Sequence, residues 1–275
     1  MSERSGKRKS RRRQLRTSHQ KNWLVGRYSV LETLRAGRWP VDELFASDEL
    51  DSDSANEVLQ LAADRGVSVE TVSTTRMSQL CHTEHHQGLA ARMGEFPYST
   101  MADLLPESGS TRTAAASAAA GERSPLIVIC DRIQDAFNFG AILRCCDAMQ
   151  VASVVIGTTQ QVSVTPQVAR SSAGAVNYQH IIRVDDIVPA AQQIRDAGFR
   201  LVAATEKASA AACEADLSGD VALIVGSEAF GVSPPLLELC DLQVAIPMLG
   251  HVASLNAAVA AGILLYEIRS RQMRG

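Results

Sequence analysis

The sequence predicts an α/β protein with a small domain over residues 22–96, a tether over 97–124 and a larger domain over 125–275. Three observations carry this. From residue 126 onward, short apolar runs alternate with amphipathic helical segments, six runs in all: 126–130, 153–157, 180–184, 200–204, 221–225 and 242–246. Runs that are apolar throughout suit strands buried on both faces, so the larger domain reads as a mostly parallel, Rossmann-like sheet with helices on both sides. The same alternation recurs on a smaller scale over 22–96. Between the two lies a stretch poor in large apolar groups.

Residues 1–21 carry nine Lys or Arg against one Glu, a net of +8. With −3 for the whole chain, the remainder carries −11. The run from Gly6 to Arg13 has no apolar side chain to pack and predicts a disordered basic arm. A basic arm on an acidic body points to an anionic partner such as RNA, with Arg11, Arg12 and Arg13 as contacts. A solubilising tail is the plainer alternative. The arm lacks the apolar segment of a secretory signal, and no run reaches the ~18 uncharged apolar residues of a membrane span. Both points suit a cytoplasmic protein with no membrane partner.

Trp23 opens ordered structure. Tyr28, Leu31 and Leu34 then share one helical face, and Gly37 is a stop signal. Strands at 41–46, 67–72 and 88–93, with helices at 54–64 and 74–80, complete an α–β–α–β–α–β unit. Over 97–124 the segments Ser-Gly-Ser and TRTAAASAAAGERS are low in complexity; the alanines favour helix but supply no apolar face. In the larger domain, helices are predicted over 138–149 and 166–172. Ile187, Ala191 and Ile194 mark another, stopped at Gly198. A last helix starts at Ser254, with Leu255, Val259, Ile263 and Tyr266 on one face.

Six cysteines show neither CxxC pairs nor zinc spacing, which suits reduced, mostly buried thiols, Cys145 and Cys146 among them as packing residues. His82, His85 and His86 cluster without acidic or cysteine partners at metal spacing and read as a solvated or RNA-facing loop. No metal is implied.

The stretch 221–269 organises the larger domain. Strand 221–225 ends in Gly226-Ser227-Glu228-Ala229-Phe230-Gly231, and strand 242–246 ends at Pro247 with Gly250 beyond it. Two buried strands thus end in glycine- or proline-marked loops, and one loop feeds a helix N-terminus. That carboxyl edge is where open α/β sheets bind ligands. The first strand, however, is not followed by the GxGxxG of dinucleotide-binding sheets.

These residues carry a resemblance. NFGAILR (Asn138 to Arg144), GSEAFGVS, IPM and SLNAAVAAG, in that order, resemble the signature motifs of the SpoU/TrmH family, RNA ribose 2′-O-methyltransferases that use S-adenosylmethionine. GRYSVLETL and HHQGLAAR resemble the substrate-binding domain of its ribosomal-RNA branch, which has a fold like ribosomal protein L30e. The resemblance implies a C-terminal SPOUT fold with a trefoil knot, a homodimer formed partly by the last helix, and a guanosine of large-subunit ribosomal RNA as target.

The resemblance also distributes roles. Ribose 2′-O-methylation needs a weak nucleophile polarised and oriented toward a methyl group. Arg144 matches the arginine that activates the hydroxyl or holds the adjacent phosphate. At its usual pKa it is a poor base, which favours phosphate clamping with polarisation. Asn138 hydrogen-bonds from both ends of its amide or caps a helix. Glu228 orients Asn138, Arg144 or the Ser254 loop. Ser254 and Asn256 lie at the final helix start, where free N–H groups meet anions. Gly226, Ile246 and Leu255, with Thr205 beyond the 200–204 strand, match cofactor positions, and Arg170 matches a segment facing the substrate.

Two residues depart from the family pattern. Ala136 stands where proline is usual, which puts loop shape in doubt. Ala229 stands where glycine is usual, which matters only if that backbone needs a positive φ. The alternatives to a ribosomal-RNA enzyme are a tRNA 2′-O-methyltransferase and a non-catalytic RNA-binding assembly protein of the same fold.

Overall fold

The computed structural model describes residues 22–105 and 124–274. The basic arm with Arg11, Arg12 and Arg13, and most of the tether, lie outside the described residues. The chain divides into two compact units. One comprises the described residues up to Pro97 together with Val164–Asn177; the other comprises Tyr98–Ser163 and Tyr178 onward. The sequence assigns 164–177 to the larger domain, whereas its packing groups it with the first unit.

The first unit is a four-stranded sheet in the order β1-β4-β2-β3: β1 (Trp23–Val25), β2 (Val41–Ser47), β3 (Val69–Val72) and β4 (Leu89–Met93). Strand β1, which the sequence marked only as the start of order, pairs antiparallel with β4. Helices α1 (Arg27–Ala36), α2 (Ser52–Asp64) and α3 (Thr74–Cys81) connect the strands. Gly37 stops α1 in the left-handed conformation at φ 61°, and its N–H caps the Thr33 carbonyl. Val30, Leu31 and Leu34 bury one face of α1. The histidine cluster is not a uniformly solvated loop, because His86 is buried. Its Nδ1 accepts the Gly88 N–H and its Nε2 lies 3.1 Å from Ser78 Oγ, so both ring nitrogens are partnered locally.

The second unit is one sheet of seven strands rather than six, in the order β7-β6-β5-β10-β8-β11-β9, with every neighbouring pair parallel. Its strands are β5 (Leu126–Asp131), β6 (Ser153–Gly157), β7 (Ile181–Val184), β8 (Arg200–Ala204), β9 (Ala210–Ala211), β10 (Val221–Gly226) and β11 (Leu242–Ala245). The seventh is β9, two residues long and too short to leave a pattern. The tether begins later than composition suggests. Ser99 bridges to Ile182, a short helix α4 (Met101–Leu104) follows, and Leu104 is buried in the core.

Period-two alternation sorts the core. Ile127, Ile129, Leu201, Ala203, Ala222 and Ile224 meet Ala190, Ala191 and Ile194 of α7 (Ile187–Asp196). Helix α5 (Ala136–Ala148) packs against the long C-terminal helix α9 (Ala257–Arg274). Two short helices complete the chain: α6 (Pro166–Ser171) in the first unit and α8 (Pro234–Leu239) in the second. Arg269 ties α9 to the end of α5. It is 5% exposed, and its guanidinium donates to the carbonyls of Met149, Gln150 and Ser124 at 2.9–3.1 Å.

Helix α9 begins at Ala257, three residues after the predicted start. Its buried face is also a different one. Ala257, Ala258, Ala261, Leu264, Leu265 and Ile268 are buried, while Val259, Ile263 and Tyr266 are exposed. Small residues let α9 approach α5 closely: a Cβ at Gly262 would stand 3.2 Å from Cys145 Sγ. No described helix is long and apolar enough to cross a membrane.

Candidate active site

Three loops leave the carboxyl ends of β8, β10 and β11 and converge with the start of α9 on a cleft of about 410 Å³. Thr205, Gly226, Ile246 and Leu255 all line it, as do Glu228 and Ser254. Its floor is apolar, with Val225, Val244 and Leu264, while Glu206 and Lys207 supply charge. A volume of this size, with apolar and polar groups side by side in its lining, is that of a small-molecule site.

Gly226 is required by close approach rather than by turn geometry. A Cβ there would come within 2.1 Å of Gly231 C and Val232 N, because the loop doubles back on itself. Ala229 has no positive φ, so its methyl costs the backbone nothing.

Beside the cleft, three side chains from three elements are joined. Asn138 Nδ2 donates to Glu228 Oε1, and Asn138 Oδ1 accepts from Asn256 Nδ2 at 2.9 Å. Asn138 is free to bridge because it does not cap α5. Asp135 does, accepting the N–H groups of Phe137 and Asn138 at 2.9 and 2.8 Å. That cap also sets the helix entry without a proline at Ala136, the first helical residue. Asn256 has two roles, since its Oδ1 accepts from the N–H groups of Ala258 and Val259 and so caps α9. Ser254, predicted as that cap, instead sits exposed in the loop on the cleft wall.

Arg144 stands apart from this network. It is exposed on α5, and among the described residues it has no hydrogen-bond or ion-pair partner. At 100° per residue it lies about 120° around the helix from Asn138 and ~9 Å along it. Arg170 is exposed on α6 in the first unit, where it donates to Gln167 Oε1 at 2.8 Å.

Cys130 lies at the end of β5, fully buried. Burial pushes its thiol up to about 12, with the Asp131 and Glu228 charges adding to the effect. It is therefore protonated at neutral pH and unsuited as a nucleophile. Cys146 is likewise pushed well up by burial. Among the described residues no group of three or more His, Cys, Asp or Glu is placed to hold a metal ion.

The sequence reading missed Asp131, Arg132 and Asp135. Asp135 carries a usable signal, an Asp just ahead of an apolar helical pattern. The other two carry none.

Comparison with known proteins identifies the family. Residues 125–266 match the model of the SpoU rRNA Methylase family, and residues 23–99 match that of the RNA 2′-O ribose methyltransferase substrate-binding domain. The chain belongs to the SpoU/TrmH family of RNA methyltransferases. A Staphylococcus aureus protein named as a TrmH family tRNA/rRNA methyltransferase is 33% identical over 248 residues, covering 89% of this chain and 94% of the relative. The crystal structure of the SpoU methyltransferase AviRb from Streptomyces viridochromogenes, in complex with AdoMet, is 26% identical with a TM-score of 0.73 and covers 94% of each chain. A crystal structure of an RNA 2′-O ribose methyltransferase is 27% identical, with a TM-score of 0.71, covering 95% of this chain and 92% of the other. The fold of this SpoU/TrmH family member is accordingly that of the SPOUT methyltransferases.

Proposed function

We propose that this SpoU/TrmH family member transfers a methyl group from S-adenosylmethionine to a ribose 2′-hydroxyl of RNA, with a guanosine of large-subunit ribosomal RNA as target. The observation that carries the reading is the convergence of Thr205, Gly226, Ile246 and Leu255 on one cleft that abuts the Asn138–Glu228–Asn256 network. The cleft fits the cofactor in chemistry as well as size. Val225, Val244, Ile246, Leu255 and Leu264 offer an apolar bed for an adenine, and Glu206, Lys207 and the loop backbone offer partners for ribose and amino-acid groups. The AdoMet complex of AviRb supports the same cofactor.

When bound, S-adenosylmethionine supplies an electrophilic methyl on a sulfonium centre. The remaining work is the protein's. Asn138 is held at both amide ends, so its orientation is set before RNA arrives, and Glu228 is a positioning carboxylate. Arg144 clamps the phosphate beside the target ribose and polarises the hydroxyl. Its exposed guanidinium, without a hydrogen-bond or ion-pair partner among the described residues, suits a group that waits for an RNA phosphate. Ser254 and the N-terminus of α9 border the reacting groups. Arg170 and the basic arm with Arg11, Arg12 and Arg13 add phosphate contacts that raise affinity without reading sequence. The match of residues 23–99 to the substrate-binding domain of RNA 2′-O ribose methyltransferases supports an RNA substrate and ribose as the methylated group.

The enzyme works as a homodimer. Val259, Ile263 and Tyr266 present an exposed apolar stripe on α9, which a second copy would cover.

The deciding experiment incubates the full chain with labelled S-adenosylmethionine and separated ribosomal and transfer RNA. The labelled nucleotides are then tested for 2′-O-methyl resistance to alkali. Alkali-resistant guanosine in the large-subunit RNA is expected. Label confined to tRNA replaces the substrate, label on a base replaces the chemistry, and absence of transfer to any RNA removes the enzymatic reading.

A further inference from the structure

Arg132, the residue after β5, has its backbone in the left-handed region at φ 61°, a conformation that disfavours any residue with a Cβ. Glycine would sit there with less strain, so the arginine is there for its side chain. That side chain closes a ring of contacts. Nε and Nη2 donate to the Asp131 carboxylate at 3.0 and 3.3 Å, and Nη2 also donates to the Gly231 carbonyl at 3.3 Å. Asp131 is buried, and its Oδ2 accepts the Ser233 N–H at 2.6 Å. Asp131 and Gly226 are register partners at the ends of the adjacent strands β5 and β10. The two charged residues therefore fasten the returning limb of the Gly226–Gly231 loop, at Gly231 and Ser233, to the strand beside the one from which the loop departs.

The loop is tight on its own account. Gly231 N–H donates to the Ser227 carbonyl at 2.9 Å, and Phe230 N–H donates to Ser227 Oγ at 3.2 Å. Every residue from Gly226 to Gly231 lines the cleft, and Glu228 within it holds Asn138.

We infer that Asp131 and Arg132 form a latch that positions the Gly226–Gly231 loop, presetting one wall of the cofactor cleft and the height at which Glu228 meets Asn138. Neither residue lines the cleft; they are positioning residues, acting through Gly231 and Ser233. The inference rests on the assignment of the cleft to S-adenosylmethionine. Without the latch the loop has to be ordered when the cofactor binds, so affinity falls, and bound cofactor returns Glu228 to its place against Asn138.

The double variant Asp131→Asn/Arg132→Gly removes both charges together, so neither is left buried alone. It keeps an oxygen for the Ser233 N–H and gives the left-handed position the residue it favours. Arg132→Lys keeps the charge on Asp131 but lacks the planar fork that also reaches Gly231. Full-length protein is titrated calorimetrically with S-adenosylmethionine, Tm is measured, and amide exchange is followed at Gly231. For the double variant the Kd is expected to rise about tenfold, the loss of one charge-assisted hydrogen bond. Tm should stay within about 3 °C. Gly231 exchanges faster, and saturating cofactor restores most of the single-turnover rate, which a general loss of structure would not do. Arg132→Lys shows a smaller rise, and it decides the matter alone if the double variant fails to fold. Leu255→Arg, which obstructs the cleft without touching the latch, abolishes binding. Wild-type affinity in the latch variants beside lost binding in Leu255→Arg overturns the latch alone. Wild-type affinity in Leu255→Arg overturns the cleft assignment, and the latch with it.

Discussion

Arg144→Ala separates the two halves of the proposed mechanism. The side chain is exposed and unpartnered among the described residues, so its removal breaks no ion pair and leaves no buried group unsatisfied. Alanine is the better helix former by a few tenths of a kcal/mol, so stability should change by less than about 0.5 kcal/mol. The field of the arginine at the cleft is also small. Arg144 lies ~9 Å along α5 from Asn138, and at roughly 10 Å in water two unit charges interact by on the order of 0.4 kcal/mol before salt screening. That is less than about a twofold change in S-adenosylmethionine affinity. A direct contact to RNA in the transition state is worth far more, ~10²–10³ in rate. Calorimetric titration with S-adenosylmethionine should therefore give a Kd within about twofold of wild type. Single-turnover methylation of bound RNA should fall by ~10² or more. Arg144→Lys should rescue poorly, because a point charge does not reproduce the planar fork. Wild-type turnover in the alanine variant would remove Arg144 from the mechanism. A lost cofactor signal in a folded protein would show that Arg144 reaches the cleft and that the division of labour is wrong.

Asn138→Asp sets two carboxylates at hydrogen-bond distance, which costs on the order of 1 kcal/mol at water's dielectric and several at the lower values of a protein surface. Methyl transfer should drop about tenfold or more, with partial recovery in the Asn138→Asp/Glu228→Gln double variant. Additive losses in that cycle would refute coupling. If the proposed homodimer forms through the exposed stripe of α9, wild-type protein sediments as a dimer at micromolar concentration and Ile263→Asp as a monomer. An unchanged dimer would place the interface elsewhere. Arg269→Ala frees the carbonyls of Met149, Gln150 and Ser124 and should destabilise the second unit by about 2–4 kcal/mol in chemical denaturation. An effect below about 0.5 kcal/mol would mean that water replaces the guanidinium.

Apart from β9, the strands of the second unit were legible in the sequence because a strand buried on both faces leaves a continuous apolar run, as 126–130 and 221–225 do. The site residues were legible for a different reason: their motifs resemble a family, and Gly226, Glu228, Asn138 and Asn256 matched it one by one. What the sequence determined by itself was therefore local: which segments are apolar, where glycine interrupts them, and which side chains match the family's motifs. Contacts between distant segments were decided only by the tertiary structure. The buried face of α9 was misread because Val259, Ile263 and Tyr266 form a good apolar stripe, yet α5 and the sheet come close enough only against the alanines and leucines of the opposite side. The grouping of 164–177 with the first unit and the burial of Leu104 are packing outcomes with no local signature. The ring of Asp131, Arg132, Gly231 and Ser233 joins residues about a hundred positions apart in sequence. An aspartate and an arginine after a strand look like an ordinary solvated turn until the sheet brings β5 and β10 side by side, buries the carboxylate and gives it the Ser233 N–H to accept.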